Sequence, residues 1–111
     1  MDIGLSKQGA VTVVRPSGAL AGPDCEPVAK CLREVIDDSM GRMVLDASAI
    51  AYVDSTGLEV LLDTAELLAE RGQSLRMCSA PETLREVLAL TDIGPMFEHY
   101  TDVNTGVRSF L

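Results

Sequence analysis

The sequence is poor in basic residues and has no long apolar run. Nine lysine and arginine residues stand against 17 aspartate and glutamate residues, which gives a formal net charge of -8. Because nucleic-acid backbones are bound by clustered lysine and arginine, we expect no nucleic-acid partner. No apolar run approaches the roughly 18 residues that span a bilayer, so we expect no membrane insertion. The N-terminus shows no export signal, and we therefore expect a cytoplasmic protein.

Ligands for a metal or a nucleotide are also scarce. The three cysteines, Cys25, Cys31 and Cys78, form no Cys-x-x-Cys pair, and His99 is the one histidine of the chain. This set is too small for a zinc site, and small core residues with free thiols are the better interpretation. No glycine-rich phosphate loop is present, so we expect no cofactor.

An enzymatic function has little support in the sequence. The nucleophile elbow Gly-x-Ser-x-Gly is absent, and Ser55 has no histidine near it in the chain. A lone histidine such as His99 is more often structural than catalytic. We therefore expect a protein that is not an enzyme, and a small serine hydrolase that uses Ser55 is the less favoured alternative.

Hydrophobic patterning predicts strands that alternate with helices over a single domain, residues 1–111. The expected strands are 3–6 and 11–15, which form a hairpin, then 43–47, 75–79 and a short one in the tail 98–111. One helix is expected over 23–39, a second from the turn at 52–57 to Gly72, a third from Pro81, and a marginal one in the tail. This order predicts an α/β fold with a mostly parallel mixed sheet of about four to five strands, an N-terminal hairpin and about three to four helices.

The most informative segment is the turn Tyr-Val-Asp-Ser-Thr-Gly at residues 52–57. It precedes an amphipathic helix whose apolar positions are Leu58, Leu61, Leu62, Ala65, Leu68 and Ala69. A helix start exposes unpaired N–H groups with partial positive charge, so the backbone could receive a phosphate on Ser55. In the other interpretation Ser55 or Asp54 only caps the helix, a role worth about 1 kcal/mol.

The neighbours of Ser55 also have candidate roles. Thr56 carries a second hydroxyl at the helix start and is a candidate secondary phosphorylation site. Asp54 is expected to shape the turn through an Asx-type hydrogen bond, and the alternative is a contact to a partner. Gly57 permits a close approach, either by the backbone of a partner or by packing of the helix itself.

The helix after the turn carries a candidate docking strip. A helical wheel drawn at 100° per residue places Val60 and Leu67 almost opposite the expected core face. An acidic row runs beside them: Glu59, Asp63, Glu66 and Glu70. Either this face is solvated and the two apolar residues are incidental, or the strip binds a partner.

Six motifs follow one another along nearly the whole chain. They are Gly-Ala-Leu at 18–20, Leu-Asp-Ala-Ser at 45–48, Tyr-Val-Asp-Ser-Thr-Gly-Leu at 52–58, Arg-Gly-Gln-Ser-Leu-Arg at 71–76, Pro-Glu-Thr-Leu-Arg-Glu-Val-Leu at 81–88 and Asp-Ile-Gly-Pro-Met-Phe at 92–97. This arrangement resembles the STAS domain of bacterial anti-sigma factor antagonists. The resemblance implies a STAS fold and a regulatory protein that binds an anti-sigma factor serine kinase with the turn and the following helix.

The resemblance also implies a switch. The unphosphorylated form would bind the kinase and release its sigma factor, phosphorylation of Ser55 would end that binding, and a serine phosphatase would reverse it. The chain departs from the family after Leu20, where many members carry an aspartate and this sequence has its next acid only at Asp24. We therefore keep a second hypothesis, a STAS subunit of a transporter or stress-sensing scaffold that is not phosphorylated.

Overall fold

A computed structural model describes all 111 residues. In chain order the elements are β1 (Asp2–Gln8), β2 (Val11–Leu20), α1 (Cys25–Ser39), β3 (Met43–Asp46), β4 (Ile50–Val53), α2 (Ser55–Ala69), β5 (Leu75–Cys78), α3 (Glu82–Leu90), β6 (Phe97–Tyr100) and α4 (Val103–Arg108). Short 3-10 turns at Gly22–Asp24 and Gly94–Met96 precede α1 and β6. The predicted α/β class, the N-terminal hairpin and the strand and helix of the tail are confirmed.

The sheet is mixed, and most of its pairings are parallel. Its main path is β1-β2-β3-β5-β6, with β4 paired to β2 off that path. Only β1 and β2 are antiparallel. The long strand β2 pairs with β3 through Thr12–Val14 and with β4 through Gly18–Leu20. The register shifts between Gly18 and Ala19, where Gly18 has a φ of 115° that suits glycine.

The sequence interpretation missed β4. It assigned residues 52–57 to a turn, whereas residues 50–53 form a strand and α2 begins at Ser55. Its four residues, Ile-Ala-Tyr-Val, are apolar, but only Ile50 is fully buried, and Ala51 and Tyr52 are exposed. The sheet therefore has six strands in place of the expected four to five.

Two apolar clusters hold the layers together. The main cluster joins α1, α2 and α3 to one face of the sheet. A smaller cluster on the other face joins Val11, Val44 and Cys78 to α4. All three cysteines are free, as expected: Cys25 and Cys78 are buried, and Cys31 is half-buried on α1.

Helix α2 is rotated relative to the sequence expectation. Its buried positions are Gly57, Val60, Leu61, Thr64, Ala65 and Leu68. This face lies about 70° from the predicted one, at 100° per residue. The rotation arises because α2 packs on α1 as well as on the sheet. The Thr64 hydroxyl tolerates burial because it donates a 2.7 Å hydrogen bond to the carbonyl oxygen of Val60.

Val60 is therefore not on a solvent-exposed strip. Its side chain is 8% exposed and belongs to the main core, so the expectation of an exposed Val60 was wrong. Leu67 is half-buried and packs against the same core. The helical wheel failed here because Gly57 and Thr64 are buried but carry no apolar pattern.

Candidate functional site

The start of α2 is organised by the carboxylate of Asp54. Asp54 is the N-cap residue, and its Oδ1 accepts a 2.8 Å hydrogen bond from the backbone N–H of Gly57. Its Oδ2 accepts a 3.0 Å hydrogen bond from the N–H of Gly22, in the turn after β2. The Asx-type hydrogen bond predicted for Asp54 is confirmed. The second bond was not foreseen, and it joins two segments that lie 32 residues apart.

These hydrogen bonds also set the protonation of Asp54. The Gly57 N–H, followed by the Gly22 N–H, lowers the pKa of this carboxyl below its usual value. A carboxylate that accepts several N–H groups is stabilised in its charged form. Asp54 is therefore a fixed negative charge directly before Ser55.

Ser55 lies at the first position of α2 with an exposed side chain. Because the Asp54 side chain caps the helix, capping is not the role of the Ser55 hydroxyl. That hydroxyl makes no hydrogen bond within the protein and is accessible to another molecule. Thr56, the next residue, is exposed as well.

The same carboxylate changes the expected place of a phosphate. Asp54 already occupies the anion position at this helix start by binding the Gly57 N–H. A phosphate on Ser55 would therefore lie beside a second negative charge. It would extend the negative surface at the site instead of filling an empty anion pocket.

Gly57 is required by packing inside the domain. The residue is buried, and a Cβ atom at this position would collide with the Leu20 carbonyl oxygen and with the Val53 side chain. Of the two interpretations given for Gly57, helix packing is confirmed. The end of β2 already occupies the space beside Gly57, so packing inside the domain accounts for the glycine.

An acidic groove follows Ser55 along α2. The side chains of Glu59, Asp63, Glu66 and Glu70 are exposed, as expected. Residues of α2 and α1 together line a groove of about 250 Å³. Leu67 lies in this groove among the acids, with Arg33 contributed by α1. The candidate docking strip is thus a groove between two helices, not a ridge on one.

Asp24 lies close to the site through the turn that follows β2. It is exposed, and its Oδ1 is 3.4 Å from the N-terminal ammonium group of Met1. The turn Gly22–Asp24 is fixed to the α2 start by the bond from Gly22 to Asp54. Asp24 is the first acid after Leu20 in the chain, and the structure places it in this turn.

Sequence reasoning missed Tyr52 as a surface residue beside Ser55. Its side chain is 60% exposed on β4, and it borders a small cavity of about 60 Å³ formed with α3. An exposed tyrosine is typical of the contact residues that dominate protein interfaces. The available signal was an aromatic residue two positions before the Asp-Ser pair.

The structure separates Ser55 from the histidine. His99 lies on β6, where its Nε2 is 3.3 Å from the Gly94 carbonyl oxygen. Ser55 follows β4, which pairs with the end of β2, whereas β6 is the last strand on the path of the sheet. The His99 ring contacts the Gly94 carbonyl oxygen, and no hydrogen bond joins it to Ser55. The structure also contains no group of three His, Cys, Asp or Glu side chains placed to hold a metal ion.

Comparison with known proteins identifies the family. A family model described as the STAS domain matches residues 2–106. The chain belongs to the STAS domain family. The resemblance noted in the sequence is thereby confirmed.

Solved structures similar to this STAS domain include anti-sigma factor antagonists. One from Thermotoga maritima, described as putative, has a TM-score of 0.87 and 17% identity, covering 96% of this chain and 92% of its own. SpoIIAA in its unphosphorylated form has a TM-score of 0.77 and 18% identity, covering 98% and 96%; the phosphorylated form from Bacillus is also similar, with a TM-score of 0.72 and 18% identity, covering 97% and 99%. A sulfate transporter family protein from Wolinella succinogenes has a TM-score of 0.72 and 17% identity, covering 90% and 84%. At these identities the likeness establishes the fold.

The helices of this STAS domain are short. The longest, α1 and α2, have 15 residues each. No helix combines the length and the apolar character that crossing a membrane requires.

Proposed function

We propose that this STAS domain is an anti-sigma factor antagonist that works by partner switching in the cytoplasm and is not an enzyme. Its unphosphorylated form binds an anti-sigma factor serine kinase, which then releases its sigma factor. The observation that carries the proposal is the exposed Ser55 hydroxyl, which has no bonding role in the fold. SpoIIAA, whose solved structures include an unphosphorylated and a phosphorylated form, supports a switch of this kind.

The geometry supports an electrostatic switch. Phosphorylation of Ser55 adds a charge of about -1.5 to -2 next to the Asp54 carboxylate and one turn before the exposed Glu59. Like charges placed in an interface cost several kcal/mol, and the kinase brings its own bound nucleotide phosphates. Binding is lost through charge and bulk at the contact, and a serine phosphatase restores it.

Phosphorylation does not need to rearrange the domain. Leu61, Ala65 and Leu68 hold α2 in the core, and Asp54 holds its first turn. Repacking such a helix face costs several kcal/mol, whereas one or two new hydrogen bonds to a phosphate supply about 1–3 kcal/mol. The partner therefore recognises the charge and shape of the surface at Ser55.

The proposed contact surface surrounds Ser55. It comprises Asp24, Tyr52, Thr56, Glu59, Asp63 and Leu67, with Thr56 as a secondary phosphorylation site. Asp54, Gly57 and Val60 support this surface from within the fold. Asp54 shapes the turn, Gly57 admits the end of β2, and Val60 seats α2 on α1.

A binding and phosphorylation experiment tests the proposal. The protein is incubated with the candidate anti-sigma kinase of its source organism and ATP, and the modified residue is located by mass spectrometry. We expect modification at Ser55, and we expect Ser55→Asp to weaken kinase binding at least about tenfold in calorimetry. Ser55→Ala should bind as the unmodified protein does.

Ser6→Asp is the matched control, because Ser6 is also exposed but lies on β1, away from the α2 start. It adds the same charge and should leave kinase binding unchanged. Equal affinity of the Ser55→Ala and Ser55→Asp proteins would refute the switch. A loss caused equally by Ser6→Asp would show that net charge matters and the Ser55 surface does not.

The similarity to a sulfate transporter family protein favours a second candidate, a STAS subunit that binds its partner constitutively. In that case Ser55 has no regulatory role. Copurification of the domain with a membrane transporter, unchanged by Ser55→Asp, would support this candidate over the first.

A further inference from the structure

A second concave surface lies at the opposite end of the sheet from Ser55. It has a volume of about 450 Å³ and lies between the β1–β2 hairpin and the last turn of α1. Strand β2 runs ten residues from this end to the α2 start, about 30 Å at the rise of a strand. A ligand here would leave the proposed kinase-binding surface free.

Part of the wall of this cavity is apolar, with four hydrophobic residues among the eleven that line it. Leu5 and Met40 line it with 57% and 68% of their surfaces exposed, and the nearly buried Val35 of α1 lines it as well. Leu5 is paired with Val14, so the two side chains leave the sheet on the same face. Because Val14 is buried in the core beneath α1, Leu5 stands beside that helix.

Met40 occupies a position where folding favours another residue. It follows the last residue of α1 in the left-handed region, with a φ of 56°. Glycine or asparagine is usual at this place, and a bulky side chain is disfavoured there. Met40 nevertheless occupies this position, where it lines the cavity and is 68% exposed. The fold does not explain this choice, whereas contact with an apolar ligand does.

The mouth of the cavity carries positive charge in an acidic protein. Lys7 and Arg42 line it, and neither forms an ion pair with an acidic side chain. Asp38 is the one acid of the lining. The charged side chains therefore leave a net charge of about +1 at this mouth, in a chain whose formal charge is -8.

The two cations are not needed to cap α1. The Ile36 carbonyl oxygen accepts a 2.9 Å bond from the Gly41 N–H, and the Ser39 carbonyl accepts a 3.1 Å bond from the Arg42 N–H. The Met40 carbonyl accepts a 3.3 Å bond from Gln73. Because backbone and amide groups already serve these carbonyls, the side chains of Lys7 and Arg42 remain available.

We propose that this cavity binds a small amphiphile from solution, with its apolar chain against Leu5, Val35 and Met40 and its anionic head at Lys7 and Arg42. The head is a carboxylate or a phosphate, since both match an ammonium and a guanidinium. The volume lies within the usual range for small-molecule sites, about 300–1,000 Å³. A second copy of this acidic chain would meet overall repulsion, so a small anion is the better fit.

The test is a titration of the ¹⁵N-labelled protein with decanoate, decyl phosphate and decanol, each below its micelle concentration. We expect saturable amide shifts at residues 5–10 and 38–42 with the two anions, and about tenfold weaker binding of decanol. The tighter of the two anions identifies the head group. Met40→Gln should weaken binding about tenfold by removing apolar contact, with the melting temperature unchanged.

Leu90→Gln is the matched control, because Leu90 is 84% exposed at the end of α3 and outside the cavity. It should bind as the parent does. Lys7→Gln, also at an exposed position, is a second variant that should weaken binding of the two anions and leave binding of decanol unchanged. Equal binding of decanol and decanoate, unchanged binding by Met40→Gln, or shifts that do not saturate would overturn the proposal. Cosedimentation with anionic lipid vesicles, lost in Met40→Gln, would assign the cavity to a membrane surface and overturn it too.

Discussion

Replacing Val60 by lysine tests the packing of α2 on which the description of the site rests. The Val60 side chain is 8% exposed and packs in the core where α2 meets α1. Burial of a valine side chain is worth about 1.5–3 kcal/mol. A lysine stem recovers part of that contact only if its ammonium group reaches solvent beside Asp63 in the groove. We therefore expect Val60→Lys to lower the free energy of unfolding by about 2 kcal/mol.

Urea denaturation measures this loss directly, and thermal unfolding gives an independent value. For a domain of this size each kcal/mol lowers the melting temperature by about 4–8 °C, so we expect a decrease of about 8–16 °C. Leu90→Lys serves as the control, because Leu90 is 84% exposed, and it should change stability by about 0.5 kcal/mol or less.

A different outcome would contradict the packing. If Val60→Lys unfolds within about 0.5 kcal/mol of the parent protein, residue 60 faces solvent, as the helical wheel of the sequence predicted. Helix α2 would then present Val60 and Leu67 together, and the groove between α1 and α2 would not exist in the described form.

Three further predictions concern the site and the core. Gly57→Ala should destabilise the domain by about 1–3 kcal/mol in urea denaturation, because the added methyl group meets the Leu20 carbonyl oxygen; a stabilised variant would contradict that contact. The lowered pKa of Asp54 means that its contribution to stability is complete above the unfolded pKa of about 3.9 and is lost as pH falls through the lower folded pKa. The difference in urea midpoint between the parent and Asp54→Asn should thus narrow below about pH 4. A difference that stays constant with pH would contradict a stabilising role for the Asp54 charge. Burial, followed by the charge of Asp46, raises the pKa of the Cys78 thiol to about 11. Iodoacetamide at neutral pH should therefore label the half-buried Cys31 in the native protein and leave the buried Cys78 unlabelled until unfolding.

Much of the fold could be predicted because strong local patterns coincide with its elements. The apolar spacing of α1 and the mostly apolar strands Met43–Asp46 and Leu75–Cys78 place three elements of the main core. Strand β4 was not predicted, because its extended conformation depends on pairing with the end of β2, which is distant in sequence. Its four residues are apolar, but so short an apolar run does not by itself identify a strand.

The candidate site shows the same division. The helix start, the Asx role of Asp54 and the exposure of Ser55 follow from a short local motif. The bond from Gly22 to Asp54 joins residues far apart in sequence, and no local pattern encodes it. The burial of Val60 likewise depends on where α1 lies, because a helix packed on two neighbours buries a face that periodicity alone cannot locate.

The double hydrogen bond of Asp54 has a consequence for the cost of association. Free loops lose conformational entropy when a partner orders them, and that loss subtracts from affinity. Here a single carboxylate holds the turn after β2 and the start of α2 in one arrangement before any encounter. A partner that contacts both segments meets a preformed surface and does not have to order the turn itself. Weakening either bond would keep every contact residue in the sequence but would let the turn move in the unbound protein. The complex would then be weaker, because binding would have to order the turn.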